Sequence, residues 1–360
     1  MRLVSSLISI FLTSGLVFSE ARANYNFEFT QDNECTEKRL DKTPGSASKI
    51  PVQDQDGTGL CTAYSMAQLI DAWRAVNNPP ITDFTSPLVL GIDYIALTNG
   101  TKVSDVGAFK LADKLPNLSS CSYSAMKSHF NSKTPIDFFR EIKRNYDLAK
   151  SGSANIVSTA QAIRNCVLNS GFSNTLDIET IKSYLNEEDW VKFSKKFFDD
   201  ACKDSRKSLS SIPKIKGGIS YGEKNHFIFM NKYRKTINQQ LDVPNALPVG
   251  IGYCANVLKD RDAIGVTEKG EFDESSCSNA KHASVIVGRR LLKYKDGDQV
   301  KTICQFLVRN TYGSSCNGYD QYEKDALPSN SGETPRVCEN GQIWVDENSL
   351  MRNTNSVFHF

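Results

Sequence analysis

The sequence predicts an α+β fold, helical first and β-rich later, from three observations. From Cys61 the chain runs without glycine or proline until Pro79, with apolar residues at Met66, Ile70 and Trp73. That spacing puts them on one face of a helix. Helical spacing returns between Thr134 and Phe198, and apolar runs of strand length gather afterwards, at 247–254, 283–288, 303–310 and 342–346. Helices and strands grouped separately along a chain belong to α+β architecture.

The first helix carries a chemical signal at its start. Pro51-Val52-Gln53-Asp54-Gln55-Asp56-Gly57-Thr58-Gly59-Leu60 leads directly into Cys61. A cysteine in the first turn of a helix faces unpaired backbone N–H groups and the positive end of the macrodipole. Both favour thiolate, the nucleophilic form.

Later helices follow from pattern alone. Thr134-Pro135 is a good helix start, with Ile136, Phe139, Ile142 and Tyr146 at helical spacing. A second pattern runs from Ala154 to about Leu168. A third begins near Asp177 and carries Ile178, Ile181, Leu185, Trp190, Phe193, Phe197 and Phe198. Glu187-Glu188-Asp189, inside it, reads as a solvated helix face.

Two of the strand runs end in chemistry. His282 opens Lys281-His282-Ala283-Ser284-Val285-Ile286-Val287-Gly288, whose Val-Ile-Val core reads as a buried strand. A strand end is a rigid mount for an imidazole. Asn310 closes Ile303-Cys304-Gln305-Phe306-Leu307-Val308-Arg309-Asn310 and precedes Thr311-Tyr312-Gly313. Its amide oxygen suits the second ring N–H of His282, the orienting role in a nucleophile–base–orienter set. Gln55 suits a side-chain N–H donor to a developing oxyanion, with the Cys61 backbone N–H as the second donor. His226, in Lys224-Asn225-His226-Phe227-Ile228, lacks such a motif and reads as a surface or strand histidine.

Gln-x5-Cys before a helix, His-Ala-x-x-x-Val-Gly, and Leu-Val-x-Asn-x-aromatic-Gly, in that order, resemble the papain family of cysteine peptidases. Leu247-Pro248-Val249-Gly250-Ile251-Gly252-Tyr253 and Gly341-Gln342-Ile343-Trp344-Val345 are similar to flanking strands of that family. The resemblance implies a two-lobe fold, a helical first lobe and an antiparallel β-rich second lobe, with the site between them. It implies Cys61 as nucleophile, His282 as general base and acid, Asn310 as orienter and Gln55 as oxyanion donor. Gly59, Gly107 and Tyr312 are then the expected substrate-side residues. Thr62 stands where the family usually has an aromatic residue, and Tyr312 where it has a tryptophan.

In that family the histidine and asparagine follow the cysteine by about 130–150 residues, whereas His282 follows Cys61 by 221. The surplus predicts a helical insertion over about 130–212, and polar loop residues predict a second insertion over about 314–340. The first is a packed decoration or a lid over the cleft; the second borders the leaving-group side.

Composition sets the context. Met1-Arg2, an apolar stretch from Leu3 to Phe18 and Ala21-Arg22-Ala23 read as a secretory signal over 1–23, with the peptidase domain over 24–360. The expected location is secreted or periplasmic. Too few residues lie between Ala23 and Pro51 for the usual helical prodomain, so the form beginning at Asn24 is expected to be active as exported. A formal charge of +2 with evenly spread Lys and Arg gives no nucleic-acid footprint, and no later run is long enough to span a membrane. Four histidines without a His-x-x-x-His or Cys-x-x-Cys pair argue against a metal, and no cofactor is expected. The expected partners are protein or peptide substrates.

Ten cysteines suit an oxidising compartment. With Cys61 reserved as nucleophile, nine remain, so a second cysteine stays outside the bridges. Cys316–Cys338 is the preferred pair, and Cys121–Cys166 and Cys254–Cys277 are candidates, since spacing does not fix connectivity. Two alternatives keep the same fold: another acyl transfer, or a non-catalytic binding protein.

Overall fold

The computed structural model describes residues 35–55, 59–81, 83–97, 108–121, 135–169, 176–203, 206–219, 226–259, 277, 281–296, 299–317, 319 and 337–360. The expected signal segment, Gly107 and most of the 314–340 loop lie outside these residues. All the described residues belong to one unit, Cys35–Phe360.

Mixed helix and antiparallel sheet make an α+β protein. The strands are β1 (Lys38–Arg39), β2 (Ser119–Ser120), β3 (Lys207–Ser208), β4 (Lys216–Ile219), β5 (Val249–Cys254), β6 (Lys281–Asp296), β7 (Gln299–Arg309), β8 (Cys338–Glu339), β9 (Gln342–Asp346) and β10 (Thr354–His359). Among the described residues, β4-β10-β5-β6-β7-β9-β8 form one sheet in that order, with β1 also paired to β6. Every pairing in it is antiparallel. The expected strand at 283–288 is the opening of the much longer β6. Residues 282–289 of β6 are all buried, which is why the sequence there is a continuous apolar run rather than an alternation. Sequence reading missed β4 and β10; β10 lies between β4 and β5.

The helices are α1 (Cys61–Asn77), α2 (Pro87–Leu97), α3 (Ala108–Lys114), α4 (Pro135–Lys150), α5 (Ile156–Asn169), α6 (Ile178–Leu185), α7 (Trp190–Ala201), α8 (His226–Asp242), α9 (Asn256–Lys259) and α10 (Glu347–Asn353). Helix α1 packs on β5, β6 and α2, while α8 packs on β5, β6 and β10. Helices α4 to α7 pack in succession and return to α2 through α7. One contiguous hydrophobic cluster includes Leu69 of α1, Phe138 of α4, Phe193 of α7 and Val285 of β6. The helical segment and the sheet therefore share a core.

The structure corrects two sequence readings. The single helical pattern from Asp177 divides into α6 and α7. Glu187-Glu188-Asp189 is the junction, not a helix face: the Asp189 side chain accepts from Val191 N–H at 2.6 Å and caps α7. His226 opens helix α8 instead of lying in a strand.

Four disulfides join Cys35–Cys304, Cys121–Cys202, Cys254–Cys277 and Cys316–Cys338. The expected Cys121–Cys166 pair is replaced by Cys121–Cys202, and Cys166 is buried outside the bridges. The 35–304 bridge fixes the N-terminal segment to β7 beside β1. There Trp344 is buried with Arg39 and Arg290 over its ring, at 5.3 and 4.2 Å.

Candidate active site

Helix α1 begins at Cys61 without a cap. Leu60 gives no side-chain hydrogen bond, and the first turn holds no acidic residue. The opening N–H groups therefore remain for whatever stands before them. Cys61 is half-buried. Burial pushes its thiol up, against the pull of the backbone amides of Ala283, Thr62 and Cys61 and the Thr62 hydroxyl. Gly59, expected on the substrate side, is exposed two residues ahead with φ 74°.

The sheet supplies a row of polar side chains across three strands. Tyr253 on β5 pairs directly with His282 on β6, so the two side chains share a face. Their rings meet edge-on with centroids 5.8 Å apart. Ser284, two residues along β6, lies on that same face. Strand β7 ends at Arg309 opposite Val285, which brings the next residue, Asn310, beside Ser284. His282 Nε2 lies 2.5 Å from Asn310 Oδ1. The Ser284 hydroxyl donates to the same oxygen at 3.1 Å, and Tyr253 Oη lies 2.9 Å from Ser284 Oγ. Burial pushes His282 down to about 4, against the Asn310 hydrogen bond, which raises it.

The tautomer of His282 follows from a backbone group. Thr311 N–H donates to Asn310 Oδ1 at 2.7 Å. An amide NH2 cannot accept that bond, so the oxygen must face it, and Nε2 must carry a proton to bond the same oxygen. Nδ1 is left as the basic nitrogen. Tyr312 lies over the imidazole with ring centroids 5.2 Å apart.

A short antiparallel clip joins the remaining parts. Gln55 N–H donates to Thr311 C=O at 2.8 Å, Asp54 bridges Tyr312, and Gly313 N–H donates to Gln53 C=O at 3.2 Å. The Thr311 hydroxyl donates to Gln55 Oε1 at 2.8 Å. That bond orients the amide so that its N–H groups point away from Thr311. Gly341, at φ 74°, backs the clip, and a Cβ there would lie 2.0 Å from the Gly313 carbonyl oxygen. Buried Arg309 donates to Gln342 Oε1 at 2.7 Å and to the carbonyls of Ala47 and Ile50. It ties the strand that bears Asn310 to the segment that leads into Gln55.

The structure thus gathers Cys61, His282, Asn310 and Tyr312 around one point, with Gln55 clipped to the Asn310 loop. The Cys61 thiol lies against the Ala283 amide. Among the described residues no direct hydrogen bond joins it to His282. Sequence reading passed over Tyr253, Ser284, Thr311 and Arg309. The one signal in the sequence was Ser284 itself, a hydroxyl inside an apolar strand, which needs a partner once buried. Among the described residues no group of three His, Cys, Asp or Glu side chains could hold a metal. None of their helices is long and apolar enough to cross a membrane. No protein-family model matches the chain, and neither does any curated protein.

Proposed function

We propose that this protein is a cysteine hydrolase of peptide bonds, built on the two-lobe plan that its motifs resemble. The observation that carries the reading is the His282–Asn310 pair, whose hydrogen bond leaves Nδ1 as the base, with the Cys61 thiol against the amide of the neighbouring Ala283. On this reading α1 to α7 form the first lobe and the sheet the second. The four disulfides fit an exported protein.

In the first step, Nδ1 of His282 takes the Cys61 proton. Each group charged alone is disfavoured by burial, as the raised thiol and the lowered imidazole record. Formed together, thiolate and imidazolium offset one another, and unit charges about 4 Å apart in a partly screened site attract by about 4 kcal/mol. The uncapped α1 terminus adds to the thiolate side. Sγ attacks the peptide carbonyl carbon, and the oxyanion is met by the Cys61 backbone N–H and the Gln55 side-chain N–H. The intermediate collapses, the C–N bond breaks, and the leaving amine takes the proton from Nδ1. An acyl-thioester remains on Cys61. Water, deprotonated by Nδ1, attacks it and releases the carboxylate and the thiol. Asn310 holds the ring throughout.

The test is mass-spectrometric mapping of a complex peptide mixture digested by the protein and by Cys61→Ala under mild reduction. Cleavages that require Cys61 are expected, and their flanking residues give the specificity. Identical digests would refute the reading.

A further inference from the structure

We infer that Tyr253 and Ser284 are positioning residues that hold the Asn310 amide, and through it the His282 ring, in working geometry. This deepens the hydrolase reading and rests on it. Donor directions along the row follow from chemistry. Asn310 Oδ1 can only accept, so the Ser284 hydroxyl must donate to it at 3.1 Å. The Ser284 hydrogen being spent there, Tyr253 O–H must donate to Ser284 Oγ at 2.9 Å. The result is a one-way chain, Tyr253 to Ser284 to Asn310, meeting His282 Nε2–H at its end.

The chain has a physical reason to be there. Without Ser284 the Asn310 oxygen would be held only by the adjacent Thr311 N–H and by the imidazole it is supposed to orient. A single backbone donor from the next residue holds the amide oxygen only weakly about χ2, even with the Tyr312 side chain beside the amide. Ser284 supplies a second anchor from a different strand, and Tyr253 fixes the Ser284 rotamer from a third. All three residues are buried, at 1, 0 and 0% exposure for Tyr253, Ser284 and Asn310, so water cannot substitute for a lost donor. Burial keeps the Tyr253 phenol protonated far above its ordinary range, so the first donor is present at every working pH. The edge-on contact of the same ring with His282 makes Tyr253 support the imidazole from the side as well.

The probe is iodoacetamide, which needs no substrate. Alkylation of Cys61 in the full chain is followed by mass spectrometry from pH 5 to 9. Cys166, buried outside the bridges, reports on opening of the fold. Wild type is expected to react at pH 6 on the order of a hundredfold faster than His282→Ala, whose thiol stays raised by burial with no imidazolium to draw off its proton. Ser284→Ala and Tyr253→Phe are each expected to lower the pH 6 rate by about three- to tenfold, the range for loss of one hydrogen bond. They should leave the rate at pH 9 unchanged and Cys166 protected. Tyr253→Phe keeps the ring volume, so it decides the matter if Ser284→Ala exposes Cys166. Wild-type profiles in both variants, with His282→Ala still slow, overturn the positioning role and leave the hydrolase reading intact. A wild-type profile that His282→Ala does not move overturns both.

Discussion

Removing the Cys35–Cys304 bridge should cost more stability than removing any other, and the reason lies in chain topology. The bridge spans 269 residues, and the Cys121–Cys202 and Cys254–Cys277 bridges, which span 81 and 23, are nested inside it. With those intact, the unfolded loop that it closes is about 165 residues. Loop-closure entropy then gives about 5 kcal/mol, against about 3 kcal/mol for the 22-residue span of Cys316–Cys338. The native state gives little back when the bridge is lost. Leu40 N–H still bonds Val287 C=O at 2.8 Å, and Arg289 still bonds Thr36 and Asp242. The whole effect therefore falls on the unfolded ensemble. The assay is urea unfolding, without reductant, of Cys35→Ala/Cys304→Ala and of Cys316→Ala/Cys338→Ala. The first should lose about 2 kcal/mol more than the second and show a steeper denaturant dependence, since its unfolded chain expands further. An equal or smaller loss with an unchanged slope would refute the nested-loop reasoning.

Other contacts give three further expected outcomes. Gln55→Glu keeps the acceptor for the Thr311 hydroxyl but has no N–H to offer. Turnover of the peptide found by the Cys61-dependent digest should fall by about 100- to 1,000-fold, while thermal unfolding stays near wild type; a drop below tenfold would remove Gln55 from the oxyanion role. Gly341→Ala puts a Cβ 2.0 Å from the Gly313 carbonyl oxygen at φ 74° and should cost more than about 2 kcal/mol in chemical unfolding. A cost under about 0.5 kcal/mol, within the usual scatter for harmless changes, would show that the clip yields freely. Asp71, fully buried on α1, accepts from Thr85 N–H and Oγ1, and burial lifts it to about 7. Its folded value lies above its unfolded one, so the native state holds the proton longer and wild-type stability falls as pH rises from about 4 to 7. Asp71→Asn removes that fall, and its stability relative to wild type should rise across the window by up to about 4 kcal/mol. Urea unfolding at the two ends of the window checks the sign, and a difference that shrinks with pH contradicts it.

The sequence showed most clearly what depends on local periodicity. Helices α1, α4 and α5 and the strands that carry His282 and Asn310 were legible because their apolar spacing reports burial directly. The α6–α7 break was hidden because Asp189 sits in an acidic run, and a cap is indistinguishable there from a solvated charge. On α4, Phe138, Ile142 and Tyr146 are buried; Ile142 and Tyr146 were read from the spacing and Phe138 was not. The Cys121 partner was missed because connectivity is a property of the fold and not of spacing. Strand β10 is buried at Thr354, Asn355, Ser356, Val357 and Phe358 alike, so neither alternation nor an apolar run announces it. The candidate site was legible at Cys61, His282, Asn310 and Gln55, which stand in short motifs. It was illegible at Tyr253, Ser284 and Arg309, whose roles arise only when β5, β6, β7 and the 47–50 segment come side by side.

The clip between 53–55 and 311–313 also sets a clock. Its hydroxyl–amide bond joins residues 256 apart in the chain. At ordinary rates of synthesis, residue 311 is made roughly 10–50 s after residue 55. Throughout that interval Gln55 has no strand to bind, and Cys61 has neither His282 nor Asn310 near it. The nascent chain can complete α1 early from local contacts, but the array at its N-terminus is a late, long-range product of folding. A ribosome-bound or truncated chain that stops short of Gly313 therefore carries the cysteine without its neighbours, and is chemically an ordinary thiol.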